Sequence, residues 1–279
     1  MASAHAPTAT GTVAIEDAVC FGCGYRLVGL DPDGQCPECG FSVDRSLRGE
    51  LLVNASPRYV TGVHRGVTTV FFGLVMSLLT NAAMIVFAVA VFIIAIAQAQ
   101  GNQGGLPFSP ALLQVLPTAL GVLVALVMLF GWWLASAPDP GYTGRHDGSK
   151  ARRWLRVSVC VLAVAQILNL LMTTVMSGGV MSFGFLGLSM LVGFVALMAW
   201  GVWFFASMQY VRWMAPRIPD PAIGRAAKRN MWLLPLLYIP GSIVLLLGPV
   251  AAMILYGVMV YKLRKRLSRV LEQQRASLA

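Results

Sequence analysis

Charge is scarce in this chain, and its scarcity is uneven: only 11% of the 279 residues are charged, and four long stretches carry no charge at all. No Asp, Glu, Lys, Arg or His falls inside any predicted span, which argues against a proton pump or an ion-coupled transporter, since both need an ionisable group within the membrane. Histidine is nearly missing as well. His5, His64 and His146 lie in tail and loop segments at no metal or triad spacing. There is no HExxH, no P-loop and no GxSxG, so metalloprotease, nucleotide-hydrolase and serine-hydrolase chemistry have no residues to carry them. The chain is therefore read as non-catalytic. Residues 1–15 (MASAHAPTATGTVAI) lack the basic start and the apolar run of a cleavable signal, so they are expected to form a disordered tail, with targeting left to the first span.

What is abundant is hydrophobicity: 57% of residues are apolar and the mean hydropathy is +0.73, which places the chain among integral membrane proteins. The charge-free stretches run from Gly66 to Ala99, Ala111 to Ala137, Val157 to Val211 and Asn230 to Tyr261. A hydrocarbon core about 30 Å thick needs roughly 20 helical residues. The third stretch is long enough for two helices with a turn at Ser177, Gly178 and Gly179. Ahead of these stretches, Cys20, Cys23, Cys36 and Cys39 form two CxxC pairs with the spacing of a zinc ribbon, so the expected fold is an all-α multi-pass transmembrane helical bundle of five spans, with six as the alternative, behind a small N-terminal β zinc ribbon. Its parts are a tail (1–15), the ribbon (16–45), a linker with a juxtamembrane helix (46–65), the helical domain (66–261) and a basic amphipathic tail (262–279). Ser56 followed by Pro57 suits an N-cap and first helical position for the juxtamembrane helix.

Lys and Arg distribute unequally between the spans. The connection after the second span carries Arg145, Lys150, Arg152, Arg153 and Arg156, and the one after the fourth carries Arg212, Arg217, Arg225, Lys228 and Arg229, whereas Gln98 to Pro110 and Ser177 to Ser182 carry no charge. Basic loops stay cytoplasmic, so the N-terminus is expected inside, at the cytoplasmic (inner) membrane. The tail, with Lys262, Arg264, Lys265, Arg266, Arg269 and Arg275, prefers that side too, which five spans would deny it. Pro235, Pro240, Gly241, Gly248 and Pro249 in the last stretch allow a kinked or re-entrant hairpin that would return it. Leu263, Leu267, Val270 and Leu271 give the tail an apolar face opposite a basic one suited to anionic lipid.

The two basic connections also resemble each other. One reads Trp133, Pro138-Asp139-Pro140, Gly144-Arg145 and a basic run to Trp154; the other reads Trp213, Pro219-Asp220-Pro221, Gly224-Arg225 and a basic run to Trp232. This is either a duplicated helix pair or ordinary Trp, Pro and Arg chemistry at membrane exits. Asp139 and Asp220 are expected to form turns or pair with nearby arginines. Cys160, alone in the third stretch, is expected to be a small core residue.

Four of the five cysteines, Cys20, Cys23, Cys36 and Cys39, form two CxxC pairs twelve residues apart. Each pair can present two thiolates to one metal and the intervening chain can return the second pair, completing a tetrahedral S4 set for one structural Zn²⁺. A disulfide pair, a thioredoxin-like redox motif and rubredoxin-like iron are the competing readings. The redox motif wants a helix N-terminus in a βαβ setting that is missing here. A closed S4 set leaves no position for water or substrate. Gly24 and Gly40, one past each pair, are placed for positive φ. Asp31-Pro32-Asp33-Gly34 reads as a turn between two short strands, and Tyr25, Leu27, Val28 and Leu30 as the small core.

The motif CxxCGYxLxGL followed by CPECG, ahead of several spans, resembles the short zinc-ribbon membrane proteins abundant in planctomycete-type bacteria. It matches at Cys20, Cys23, Gly24, Tyr25, Leu27, Gly29, Leu30, Cys36, Pro37, Glu38, Cys39 and Gly40, under a tenth of the chain. Phe21-Gly22 stands where such ribbons often have proline. The resemblance implies a bacterial cytoplasmic-membrane protein with a structural zinc module and transfers no catalytic residue.

The net charge of +10 suggests a nucleic-acid binder until it is divided: residues 1–50 hold seven acids and three arginines, a balance of −4, leaving +14 for the rest. An acidic ribbon is repelled by phosphate, so nucleic acid is not expected as a partner. Besides the lipid bilayer, a protein partner for the ribbon, or docking of the ribbon on the chain's own basic loops, is expected, and a homo-oligomer is compatible. The expected function is a membrane protein with a regulatory or protein-interaction zinc ribbon. The alternative is a channel or facilitator for an uncharged substrate, in which Asn81, Gln166 and Asn169 would face one cavity. As isolated helix residues, these three, with Thr173 and Thr174, are otherwise expected to bond within the bundle.

Overall fold

The computed structural model describes residues 20, 23–47, 51–99, 110–139, 149–178, 183–218, 220–244 and 248–276. The expected tail at 1–15, most of the uncharged loops, and Pro140, Gly144, Arg145 and Pro219 lie outside the described residues. Among the described residues the chain is nearly all helical, with no strand. A short helix α1 (Val43–Leu47) closes the cysteine-containing unit. Six long helices follow: α2 (Pro57–Ala99), α3 (Pro110–Ala135), α4 (Ser149–Ser177), α5 (Phe183–Met214), α6 (Pro221–Val244) and α7 (Gly248–Ala276). The expected β ribbon reduces to a single antiparallel bridge, Gln35 to Ser42. A unit this small spends its backbone donors on the cysteine loops and has too few left to extend a ladder.

Four of these helices, α2 to α5, are long and apolar enough to cross a membrane. The expected juxtamembrane helix is not separate: it forms the first turns of α2, started by Ser56, whose Oγ accepts the Tyr59 N–H at 3.3 Å, with Pro57 at the position that needs no donor. The expected break after Ser177 is present, since α4 ends there and the Gly178 N–H turns back to Thr174 and Val175.

The fourth apolar stretch is not one span. It divides into α6 and α7, which pack on each other as a hairpin. Their apolar arms, Met231 to Val244 and Gly248 to Tyr261, each reach about 21 Å at 1.5 Å per residue, short of a full crossing. The arms touch at Gly241 and Gly248, where a Cβ on Gly241 would lie 2.7 Å from the Gly248 Cα. Side chains there would force the arms apart.

This hairpin removes the conflict over the tail. The helices pack in chain order, each on the next, and α7 closes the ring against α2. Leu263, Leu267 and Val270 are buried, so the apolar face of the tail is covered by the bundle itself, opposite the basic face expected to meet anionic lipid. Gln274 finishes the closure: its amide N–H₂ donates to the carbonyls of Leu52, Val53 and Ala55, at 3.2, 2.9 and 2.8 Å. The end of α7 thus stands beside the start of α2.

At the same basic end, Asp139 after α3 pairs with Arg217 after α5 at 2.6 Å, both side chains nearly covered. The Arg217 guanidinium also lies over the rings of Tyr59 and Trp213. Asp220 pairs with Arg266 of α7 at 2.6 Å. Both repeat-loop carboxylates are therefore structural staples, each fastening its loop to an arginine of a later segment. Cys160, expected inside, is exposed on the outer face of α4.

Candidate metal centre and polar cavity

Two identical backbone loops build the cysteine site. In the first, Cys20 N–H donates to Tyr25 O at 2.7 Å and Gly24 N–H to Cys20 O at 2.8 Å. The second repeats this with Cys36 to Phe41 at 2.7 Å and Gly40 to Cys36 at 2.8 Å. Gly24 (φ 78°) and Gly40 (φ 70°) occupy the left-handed region, where a Cβ would be strained. The connecting turn forms at Asp31, whose carbonyl accepts the Gly34 N–H at 3.0 Å and whose side chain accepts the Asp33 N–H at 3.0 Å.

These loops gather the four expected cysteines. Their sulfurs all lie within 4.8 Å of one another, with 3.6 Å between Cys20 and Cys39 and between Cys23 and Cys36. A tetrahedron with metal–sulfur bonds of about 2.3 Å has edges of about 3.8 Å, so the set could hold one metal ion. None of the four is in a disulfide, the sulfur separations being far beyond a disulfide's roughly 2 Å. The Cys39 thiol shows what crowding does. The Phe41 backbone lowers its pKa, but desolvation and the three other thiols outweigh this and push it up to about 12. At Cys23 the Tyr25 backbone and the Cys39 thiol lower the pKa, but desolvation with the Cys36 and Cys20 thiols outweighs them and raises it. Four thiolates at this spacing need a cation's charge.

The small core differs from expectation. Leu27 and Val43 are fully buried, with Leu30, Phe41 and Leu47 packed against them. Tyr25 (41%) and Val28 (44%) are exposed instead, as are Asp31, Asp33 and Glu38 of the same unit. The helix α1 supplied what those two were expected to supply.

Within the helical domain, Asn81, Gln166 and Asn169 do converge. They line one cavity of ≈ 280 Å³ together with Ser77, Thr118 and Tyr238. Helix periodicity explains the grouping: Ser77 and Asn81 are four apart on α2, Gln166 and Asn169 three apart on α4, so each pair shares a face. Thr173 and Thr174 do not join them; their hydroxyls donate to the carbonyls of Asn169 and Leu171. Ser77, Thr118 and Tyr238 were missed by the sequence reading, although the four-residue spacing of Ser77 and Asn81 was a usable signal.

One helical turn toward the basic end the bundle is closed by aromatic rings. Trp132, Trp203, Phe204 and Tyr256 have no exposure. Trp203 and Phe204 meet the Tyr256 ring at centroid distances of 5.1 and 5.2 Å. The Trp132 indole donates to the Tyr256 hydroxyl at 2.6 Å. The cavity is therefore blind on that side. Comparison of the chain with family models, curated proteins and solved structures gave no match.

Proposed function

We propose that this is a multi-pass protein of a bacterial cytoplasmic membrane whose cysteine site holds one structural Zn²⁺, keeping an acidic cytoplasmic ribbon folded as a protein-interaction or regulatory module. The observation that carries the proposal is the sulfur set: four thiols at tetrahedral spacing leave no open position, so the ion serves folding and not catalysis. The exposure of Tyr25 and Val28, on a unit that also exposes Asp31, Asp33 and Glu38, supports an interaction role, because exposed apolar side chains on a small folded unit are available to a docking partner. The basic loops, placed by positive-inside on the ribbon's side, are the intramolecular candidate for that partner. The resemblance of the ribbon motif to planctomycete-type membrane proteins agrees with this reading.

Elemental analysis of purified protein tests the metal, with one zinc per chain expected and its absence, or iron in its place, refuting the assignment. Crosslinking and pull-down from membranes, wild type against Cys36→Ser, tests the role. If the same proteins are captured by both, the ribbon is not the docking element. A second reading, a facilitator for an uncharged solute, is favoured by the convergence of Asn81, Gln166 and Asn169 on one cavity. It requires the aromatic layer to open, and it is tested by glycerol flux into proteoliposomes, which must exceed that of protein-free vesicles.

A further inference from the structure

We propose that the cavity is a binding site for a small uncharged molecule bearing both hydrogen-bond donors and acceptors, entered from the end of the bundle opposite the basic one. The inference deepens the facilitator reading by naming the ligand class and the side of entry, but it requires binding alone and not passage.

The polar groups are left in need of a partner. Among the described residues, the Gln166 and Asn169 side chains make no hydrogen bond, and the Asn81 amide N–H₂ is used locally, on Ser77 O at 2.7 Å and Ser77 Oγ at 3.4 Å, leaving its carbonyl free to accept. Unpaired amides at membrane depth are costly, so such groups are filled by water or ligand. Three amides offer donors and acceptors side by side, which matches a molecule that carries both. A purely accepting or purely apolar molecule would leave half of them unmet.

Charge is excluded by the lining, which contains no Asp, Glu, Lys, Arg or His. An ion entering would give up its hydration with no counter-charge to replace it. Size is bounded as well: ≈ 280 Å³ is the room of about nine waters at ≈ 30 Å³ each, which suits a small polyol or amide. Trp200 and Tyr238, with ring centroids 5.9 Å apart, add an apolar wall for the carbon skeleton of such a molecule.

The direction of entry follows from the helix lengths. Pro249, Val250 and Met253, at the start of α7, line the cavity, so it sits at the tip of the short α6–α7 hairpin. Among the described residues α2 to α5 extend past the cavity-lining positions in that direction, while toward the basic end lies the fully buried layer of Trp132, Trp203, Phe204 and Tyr256.

The test uses full-length, zinc-loaded protein in phosphatidylcholine–phosphatidylglycerol proteoliposomes. Ser77→Cys on a Cys160→Ala background is reacted with a membrane-impermeant thiol reagent applied to one side at a time, with glycerol and urea as probes and lipid-facing Val86→Cys as control. Reaction is expected from the side opposite the basic loops. Either probe should slow it about threefold at twice its dissociation constant, because only the empty fraction reacts. Val86→Cys, facing lipid, should react from neither side, with or without the probes. The proposal is overturned if the cysteine reacts only from the basic side, if it reacts from neither side, as a lipid-filled cavity would give, or if both probes leave its rate unchanged. Thr118→Cys, on the same cavity, serves the same purpose should Ser77→Cys not fold. Protection without glycerol flux keeps the site and removes the facilitator reading; flux without protection does the reverse.

Discussion

Replacing Asp139 by alanine should destabilise the helical domain far more than an ordinary loop substitution. The Asp139 and Arg217 side chains are only 5% and 6% exposed, and their charged atoms are 2.6 Å apart. Two unit charges about 4 Å apart attract by ~4 kcal/mol at an effective dielectric of about 20. Removing one partner of a buried pair also strands the other, which typically costs ~3–5 kcal/mol. Here the guanidinium would lose its carboxylate while still lying over the rings of Tyr59 and Trp213. For a domain of this size that corresponds to a fall of about 10 °C in the unfolding midpoint, readable by tryptophan fluorescence on detergent-purified protein. The double variant Asp139→Ala with Arg217→Met should recover most of the loss, because it removes the uncompensated charge. A single variant that melts within about 1 °C of wild type, or a double variant no better than the single, would refute the reasoning.

Three further outcomes follow from the geometry. Two of the crowded thiols, Cys23 and Cys39, have pKa values above the ordinary 9, reaching about 12 at Cys39. Before metal is added, their protonated form therefore stabilises the ribbon below pH 9 and loses that contribution as pH rises toward 12; zinc needs thiolates, so its affinity should instead fall as pH falls. Chelator-competition titrations at several pH values read this directly, and a pH-independent affinity would contradict it. Gly66→Leu should abolish a well-folded peak in size-exclusion chromatography, since even a Cβ there meets the backbone of Ala135 and lies 2.6 Å from Gly131 O, whereas Gly62→Ala meets nothing within 4 Å and should be tolerated. Overpacking against backbone costs roughly 1–3 kcal/mol or more. A topology reporter fused after Arg275 should read on the same side as one placed ahead of Cys20, because Gln274 is bonded to the start of α2; opposite sides would sink the hairpin.

Much of the fold was legible residue by residue. The Ser56 cap, the break after Ser177 and the positive-φ glycines behind each cysteine pair are all local features, and each is where its neighbours in sequence put it. The last apolar stretch was not legible in this way. Pro235, Pro240, Gly241, Gly248 and Pro249 permit a kink, a break or a hairpin equally well. The outcome depends on whether Gly241 and Gly248 find each other and whether Leu263, Leu267 and Val270 find α2. The same holds for Tyr25 and Val28, whose exposure could be settled only once α1 had taken the core position above the thiols.

The sequence alone determined the gathered cysteines that could hold a metal ion, the apolar helices and the division of charge, because each depends on the spacing or composition of residues close together in the chain. Tertiary structure alone decided that Asn81, Gln166 and Asn169 share a cavity, that Asp139 meets Arg217, and that an aromatic layer seals one side. These contacts join different helices. Their existence depends on how each helix is rotated about its axis and which neighbour it meets, and that is set by close packing across the whole bundle, such as the glycine contact between α2 and α3, and not by any segment on its own.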